Sequence, residues 1–81
     1  MEIEFSPRAL IDLEKWKKSG NILAQRKITD LTNSILITPF KGIGKPEPLK
    51  YQMSRRNTPK DRYVYEISGD KIIVHSLIGH Y

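Results

Sequence analysis

The sequence predicts an α+β fold in a single domain that spans residues 1–81. Helical periodicity occupies residues 7–37, and β-forming residues concentrate in residues 63–78. A chain of 81 residues has room for one domain only, because most domains comprise about 100 to 200 residues. Hydrophobic residues make up 38% and charged residues 28%, which excludes a disordered tail and is typical of a small globular protein.

The chain opens with a short predicted strand and the start of a helix. The segment EIEF (residues 2–5) alternates acidic and apolar side chains, as expected for a strand with one buried face. Ser6 and Pro7 then mark a helix start, because the serine hydroxyl can accept a backbone N–H of the first turn and proline needs no acceptor there. This helix is expected to run to about Lys18.

A second helix should form a hairpin with the first. The turn at residues 19–21 contains Gly20, and the apolar stripe that follows predicts a helix over residues 22–37. That helix should end before Pro39, since the residue preceding a proline avoids the helical conformation. The expected core positions of the two helices are Ala9, Leu10, Leu13, Trp16, Ala24, Ile28, Leu31 and Ile35.

The remainder of the chain is predicted to be a loop followed by a β-hairpin. Residues 40–50 read FKGIGKPEPLK, whose two glycines and two prolines indicate a loop. Strands at residues 63–67 and 71–78 are joined by a turn at residues 68–70. Both faces of the last strand are largely apolar, so we expect this strand to have neighbours on both sides in the sheet.

The net charge of +5 is concentrated in one part of the chain. Residues 41–62 carry seven Lys or Arg against two acidic residues, while the remaining residues are balanced. This stretch predicts a surface that faces an anion, such as the phosphates of a nucleic acid. A solvated basic loop is the alternative interpretation.

Several classes of protein are excluded by what the sequence lacks. The absence of cysteine excludes disulfides, thiolate metal sites and thiol nucleophiles, and two histidines are too few for a zinc site. We therefore expect no metal and no cofactor. The acidic N-terminal residues do not resemble a secretory signal, and no apolar run approaches the length of about 20 residues that spans a membrane. We expect a cytoplasmic protein that does not bind membranes.

Glu47 is the first candidate for a chemical role. It lies between Pro46 and Pro48, whose rings stiffen the backbone, and it is the only acidic residue between Asp30 and Asp61. A carboxylate held in this way could act as the general base in RNA chemistry. The alternative is an exposed carboxylate in a rigid turn.

Arginines and a terminal histidine complete the candidate chemistry. Arg55, Arg56 and Arg62 can present planar donors to phosphate oxygens, and His80 and Tyr81 follow an apolar strand that should hold them. A base, an arginine and an acid suffice for RNA cleavage without metal: a ribose 2′-oxygen attacks the adjacent phosphorus and the 5′-oxygen leaves. Solvated arginines and a frayed chain end remain the alternative.

Four segments together resemble a known family. They are TPFKGIGKPEPLKY (residues 38–51), SRR (residues 54–56), RYVYEI (residues 62–67) and the terminal pair at residues 80–81. On these segments the whole chain resembles the YoeB/Txe branch of the RelE-type toxins. The resemblance implies a RelE-like fold in which an N-terminal strand and a two-helix hairpin pack on a small antiparallel β-sheet. It also implies the toxin of a type II toxin–antitoxin system that acts as a ribosome-dependent mRNA endonuclease.

The resemblance also implies roles for individual residues. Glu47 matches the family's general base, Arg62 its phosphate-stabilising arginine, His80 its general acid and Tyr81 a tyrosine that shapes the site. The expected RNA-binding residues are Lys45, Lys50, Arg55 and Arg56. The implied partners are the ribosomal A site with its mRNA and a cognate antitoxin of the YefM/Axe type with an acidic C-terminal segment. A homodimer is the other assembly that the resemblance allows.

The chain departs from the family pattern in two places, and these leave an alternative open. The hairpin tip before Ser54 is shortened, and Asp61 stands where the family tends to have histidine. We expect Asp61 to pair with Arg62 and weaken its hold on phosphate. These departures favour a RelE/ParE-fold homologue without RNase activity, which acts by binding an antitoxin or a gyrase-like target. The combination of Glu47, Arg62 and His80 favours the nuclease, and it would be unexplained in a third alternative, a basic RNA-binding module without chemistry.

Overall fold

The computed structural model describes residues 2–40, 42, 44 and 52–79, together with the backbone of residues 47–48. It contains two helices and one five-stranded sheet. The elements are β1 (Glu2–Phe5), α1 (Pro7–Ser19), α2 (Ile22–Ile37), β2 (Glu47–Pro48), β3 (Met53–Arg56), β4 (Arg62–Ser68) and β5 (Lys71–Ser76).

The strand order is β1-β5-β4-β3-β2, which confirms the α+β class and the internal position of the last strand. Three of the pairings are antiparallel, as predicted, but β1 runs parallel to β5, so the sheet is mixed. Both helices and three strands separate β1 from β5 along the chain. No tight turn therefore forces the antiparallel direction on this pair.

The ends of the helices follow the sequence signals. The Ser6 hydroxyl accepts the N–H of Ala9 at 3.1 Å, and Gly20 ends α1 with a φ of 73°. This left-handed conformation favours glycine, because a Cβ would be strained there. The Asn21 side chain accepts the N–H of Ala24 at 3.0 Å at the start of α2, and α2 ends at Ile37 as predicted. In the part of the chain that the structure describes, neither helix is long and apolar enough to cross a membrane.

The core lies between the helices and one face of the sheet. Along α1 the face turned to β5 includes a charged residue, since Asp12 is 1% exposed whereas the predicted core residue Leu10 is 54% exposed. The prediction for Leu10 is wrong because Asp12 occupies the buried position of the stripe and accepts the N–H of Leu77 at 3.0 Å. The buried residues of the core cluster are Ala9, Ile28, Leu31, Ile35, Tyr63, Tyr65, Ile72, Val74 and Leu77.

The opposite face of the sheet carries a different set of residues. Successive side chains on a strand alternate between faces, so residues that flank the core tyrosines of β4 lie on the other side. Ser54 pairs with Val64 and Arg56 pairs with Arg62 in the β3–β4 ladder.

Candidate functional site

Arg62 occupies the centre of the candidate site. It is the first residue of β4, and its side chain donates from Nη2 to the hydroxyl of Ser54 at 2.9 Å. Both residues are buried, with Arg62 8% and Ser54 2% exposed. Because Ser54 lies on the neighbouring strand, this hydrogen bond fixes the guanidinium against β3.

The backbone of Glu47 lies one strand further along the same sheet. Residues 40–50 were predicted to be a loop, but residues 47–48 form the short edge strand β2, in which Glu47 is opposite Ser54. An edge strand tolerates Pro48, because a missing N–H on its outer side breaks no ladder hydrogen bond. The register thus brings the backbone of Glu47 next to the residue that holds Arg62. The Glu47 side chain lies outside the described part of the structure.

The chain after β5 returns to the same place. The backbone N–H of Arg62 donates to the carbonyl of Gly79 at 2.7 Å. The N–H of Gly79 donates to Oδ1 of Asp61 at 2.8 Å. The predicted site residues His80 and Tyr81 follow Gly79 directly and lie outside the described residues.

The Asp61 carboxylate was expected to pair with Arg62, but it has other partners. Its Oδ2 atom accepts the hydroxyl of Thr58 at 2.8 Å, and its Oδ1 atom accepts the N–H of Gly79. The expected pairing with Arg62 is replaced by these contacts, because the turn that precedes β4 directs the carboxylate towards Thr58 and the chain end. No pattern of neighbouring residues predicts these contacts, although a glycine directly before the terminal pair indicates a positive φ at that position.

Arg55 is the clearest correction to the predicted RNA-binding set. It is fully buried, and its guanidinium donates to Ser34 Oγ at 2.7 Å, to the carbonyl of Thr38 at 2.6 Å and to the hydroxyl of Tyr65 at 3.2 Å. The prediction that Arg55 binds RNA is wrong, because this position of β3 faces the core, where Arg55 lies opposite Tyr63. Arg55 instead ties β3 to the end of α2.

Arg56, the next residue, is exposed and remains a candidate for RNA binding. It lines an open groove of about 320 Å³ between α2 and the turn that follows β3. Lys27 of α2 lines the same groove. The predicted residues Lys45 and Lys50 lie outside the described residues.

The two buried tyrosines of β4 belong to the core rather than to the chemistry. Burial raises the pKa of Tyr63 to about 12, although its hydrogen bond with Thr32 acts in the opposite direction. Burial also raises the pKa of Tyr65, again against a hydrogen bond, here from Arg55. Both phenols are therefore protonated at neutral pH. Their rings pack edge to face with centroids 6.0 Å apart.

The fold is that of a small RelE-like toxin. The family model described as the YoeB-like toxin of bacterial type II toxin-antitoxin systems matches residues 5–81. The chain therefore belongs to the YoeB-like toxin family, as its motifs predicted, and is the toxin of a type II toxin–antitoxin system.

Individual relatives agree over the full length of the chain. It is 33% identical to Toxin YoeB of Escherichia coli (strain K12) over 85 residues, covering 100% of both proteins. The YoeB/ParE toxin from Agrobacterium tumefaciens is 36% identical with a TM-score of 0.93 and covers 100% of each chain. Two similar Staphylococcus aureus structures are a YoeB dimer (35% identical, TM-score 0.87) and a YoeB–YefM complex (36% identical, TM-score 0.83). Each covers 100% of this chain and 98% of the other.

Proposed function

We propose that this toxin is a metal-independent endoribonuclease that cleaves mRNA on the ribosome. One observation carries the proposal: Arg62 is hydrogen-bonded through its side chain to Ser54 and through its backbone to Gly79. Ser54 is the partner of Glu47 in the sheet, and Gly79 precedes His80. Glu47 and His80, which are far apart in sequence, are thereby each next to a residue that is hydrogen-bonded to Arg62.

The reaction assigns one role to each of these residues. Glu47 takes the proton from a ribose 2′-hydroxyl, and the 2′-oxygen then attacks the adjacent phosphorus. Arg62 stabilises the extra negative charge on the phosphate oxygens. His80 donates a proton to the 5′-oxygen as its bond to phosphorus breaks, which leaves a 2′,3′-cyclic phosphate and a 5′-hydroxyl. Tyr81 shapes the site beside it.

The contribution of each group can be bounded. General acid and general base catalysis are each worth about 10² to 10⁴ in rate. Loss of one well-placed donor to a developing oxyanion costs about 3 kcal/mol. Such a small basic surface offers little means of reading bases, so the ribosome is proposed to present the mRNA, with Arg56, Lys45 and Lys50 contacting its phosphates. A ribosomal substrate also requires a cytoplasmic location, which stays a prediction.

The variant Glu47→Gln tests the mechanism, since the amide cannot accept the 2′-hydroxyl proton. Primer extension on translated mRNA should show a loss of roughly 10² to 10⁴ in cleavage rate. The matched control is Glu4→Gln, which changes an exposed glutamate of β1 and should cleave like the wild type. Normal cleavage by Glu47→Gln would exclude Glu47 as the base, and equal cleavage of naked RNA would exclude ribosome dependence.

A partner of the YefM type is proposed to inhibit the toxin. The similar S. aureus protein is found in a YoeB–YefM complex, and an acidic antitoxin segment would complement the excess charge of residues 41–62. Salt should weaken this complex, because charges are screened beyond a Debye length of about 8 Å at physiological ionic strength. A homodimer like that of S. aureus YoeB is proposed for the free toxin, and sedimentation at several concentrations tests it.

The second candidate function is binding without RNA cleavage, as in a toxin with a gyrase-like target. The burial of Arg62, which is only 8% exposed, favours it, because a phosphate would need access to the guanidinium. A supercoiling assay with purified gyrase separates the two functions. Inhibition of gyrase, together with intact mRNA on translating ribosomes, would favour the binding function over the nuclease.

A further inference from the structure

The chain end is anchored first at Leu77, just after β5. Its N–H donates to Asp12 Oδ2 at 3.0 Å. Its carbonyl accepts Trp16 Nε1 at 3.0 Å and Asn57 Nδ2 at 2.7 Å. Leu77 is fully buried, so this anchor forms part of the core and does not involve Asp61.

Gly79 is held by a second and separate anchor. Its N–H bonds to the Asp61 carboxylate, and its carbonyl bonds to the N–H of Arg62. It has a φ of +90°, and a Cβ added there would meet no atom of the described residues within 4 Å, apart from its neighbours along the chain. The requirement for glycine is therefore conformational, and the direction in which the chain leaves Gly79 depends on these two hydrogen bonds.

The acceptor on Asp61 is itself fixed in place. Thr58 donates its hydroxyl to Asp61 Oδ2 at 2.8 Å, and the same hydroxyl oxygen accepts the N–H of Asp61 at 3.0 Å. The Asp61 carbonyl accepts the N–H of Asn57 at 3.0 Å. These contacts do not involve Gly79, so the Asp61 carboxylate is oriented independently of the hydrogen bond that it accepts from Gly79.

We propose that Asp61 is a positioning residue, which fixes Gly79 and thereby sets the place of His80 and Tyr81 relative to Arg62. The inference rests on the proposed function, because that function assigns roles in RNA cleavage to His80 and Tyr81. Asp61 acts here as a hydrogen-bond acceptor and not as a charge that competes for Arg62. Asparagine can accept the Gly79 N–H through its carbonyl oxygen, whereas alanine cannot.

The variants Asp61→Ala and Asp61→Asn separate the two roles. With saturating ribosomes, Asp61→Ala should reduce the single-turnover cleavage rate by about 10- to 100-fold, the loss expected from a displacement of about 1 Å. Asp61→Asn should restore cleavage, and the ribosome concentration for half-saturation should not change. The charge control is Asp30→Ala, which removes an exposed carboxylate from α2. Competition for Arg62 predicts instead that Asp61→Ala and Asp61→Asn are both faster than the wild type, which would overturn the proposal.

The variant Gly79→Ala approaches the same anchor from the other side. Its surroundings are open, so it should leave the fold intact while it disfavours the positive φ and the bond to Asp61. Gly79→Ala should lower the single-turnover cleavage rate about as much as Asp61→Ala does. A folded Gly79→Ala protein that cleaves at the wild-type rate would overturn the proposal.

Hydrogen exchange of the Gly79 amide gives a readout that does not depend on cleavage. The proposal is supported if the Gly79 amide is protected from exchange in the wild type and in Asp61→Asn but exchanges faster in Asp61→Ala. Equal exchange in all three proteins overturns it. If the wild-type protein cleaves no mRNA, the proposed nuclease function fails, while the exchange of Gly79 still decides whether Asp61 orders the chain end.

Discussion

The neighbouring residues Arg55 and Arg56 should respond to the same substitution in opposite ways. Arg55 is fully buried, whereas Arg56 is exposed beside an open groove. Methionine preserves most of the length of either side chain and removes the charge and the donors. We expect Arg55→Met to destabilise the fold and Arg56→Met to leave its stability nearly unchanged.

The loss for Arg55→Met follows from the hydrogen bonds that Arg55 donates to Ser34, Thr38 and Tyr65. Bonds from a charged donor are each worth about 1.5 to 3 kcal/mol. The Tyr65 hydroxyl retains its bond to the carbonyl of Pro39, and Thr38 is exposed enough for water to replace the guanidinium. The free energy of unfolding should therefore fall by about 3 kcal/mol, a large part of the roughly 4 to 12 kcal/mol expected for a domain of 81 residues.

Urea unfolding followed by tryptophan fluorescence measures this effect, because the protein has one tryptophan, Trp16, which packs against the core. A ribosome-binding assay then tests the role of Arg56. Arg56→Met should bind ribosomes more weakly, because it loses a phosphate contact. The reasoning would be refuted if Arg55→Met unfolded at the urea concentration of Arg56→Met. It would also be refuted if Arg55→Met were stable but bound ribosomes poorly.

Two further substitutions and one deletion test other parts of the protein. Burial raises the pKa of Tyr63 from its ordinary value of 10 to about 12. The stabilisation that comes from the neutral phenol is therefore complete below pH 10 and is lost as the pH rises from 10 to 12. Urea titrations should show that Tyr63→Phe removes about 3 kcal/mol of this pH dependence. Ser54→Ala removes one acceptor of the Arg62 guanidinium and should lower the single-turnover cleavage rate more than it lowers the melting temperature. An unchanged rate would show that Ser54 does not position Arg62. Deletion of His80 and Tyr81 should abolish cleavage on ribosomes and leave the melting temperature nearly unchanged, and a truncated protein that still cleaves would assign the proton donor elsewhere.

Local signals in the sequence predicted the helices and the hairpin well. Helix ends depend on short-range contacts such as those of Ser6 and Asn21, which can be recognised from neighbouring residues alone. The internal position of β5 followed from its two apolar faces. The family motifs, which lie within residues 38–81, led to the family and through it to the fold.

The errors concern long-range contacts of polar residues. A buried carboxylate at Asp12 and a buried guanidinium at Arg55 depend on partners far away in sequence, which no periodicity reveals. The role of Asp61 was misjudged for the same reason, since its acceptor atom serves Gly79, which is 18 residues away. The parallel direction of β1 likewise depends on a partner at the other end of the domain.

The position of β5 between β1 and β4 has a consequence for folding. The helices can begin to form from local contacts, but the β1–β5 pairing joins residues as far apart as Phe5 and Val74. Closing so long a loop is slow, so β1 is expected to join the sheet late. The backbone contact between Arg62 and Gly79 lies next to the β4–β5 hairpin and can form earlier, because these strands are neighbours along the chain. A chain in which β1 has not yet paired therefore leaves one edge of β5 open, and the unpaired N–H and C=O groups of that edge can pair with another chain.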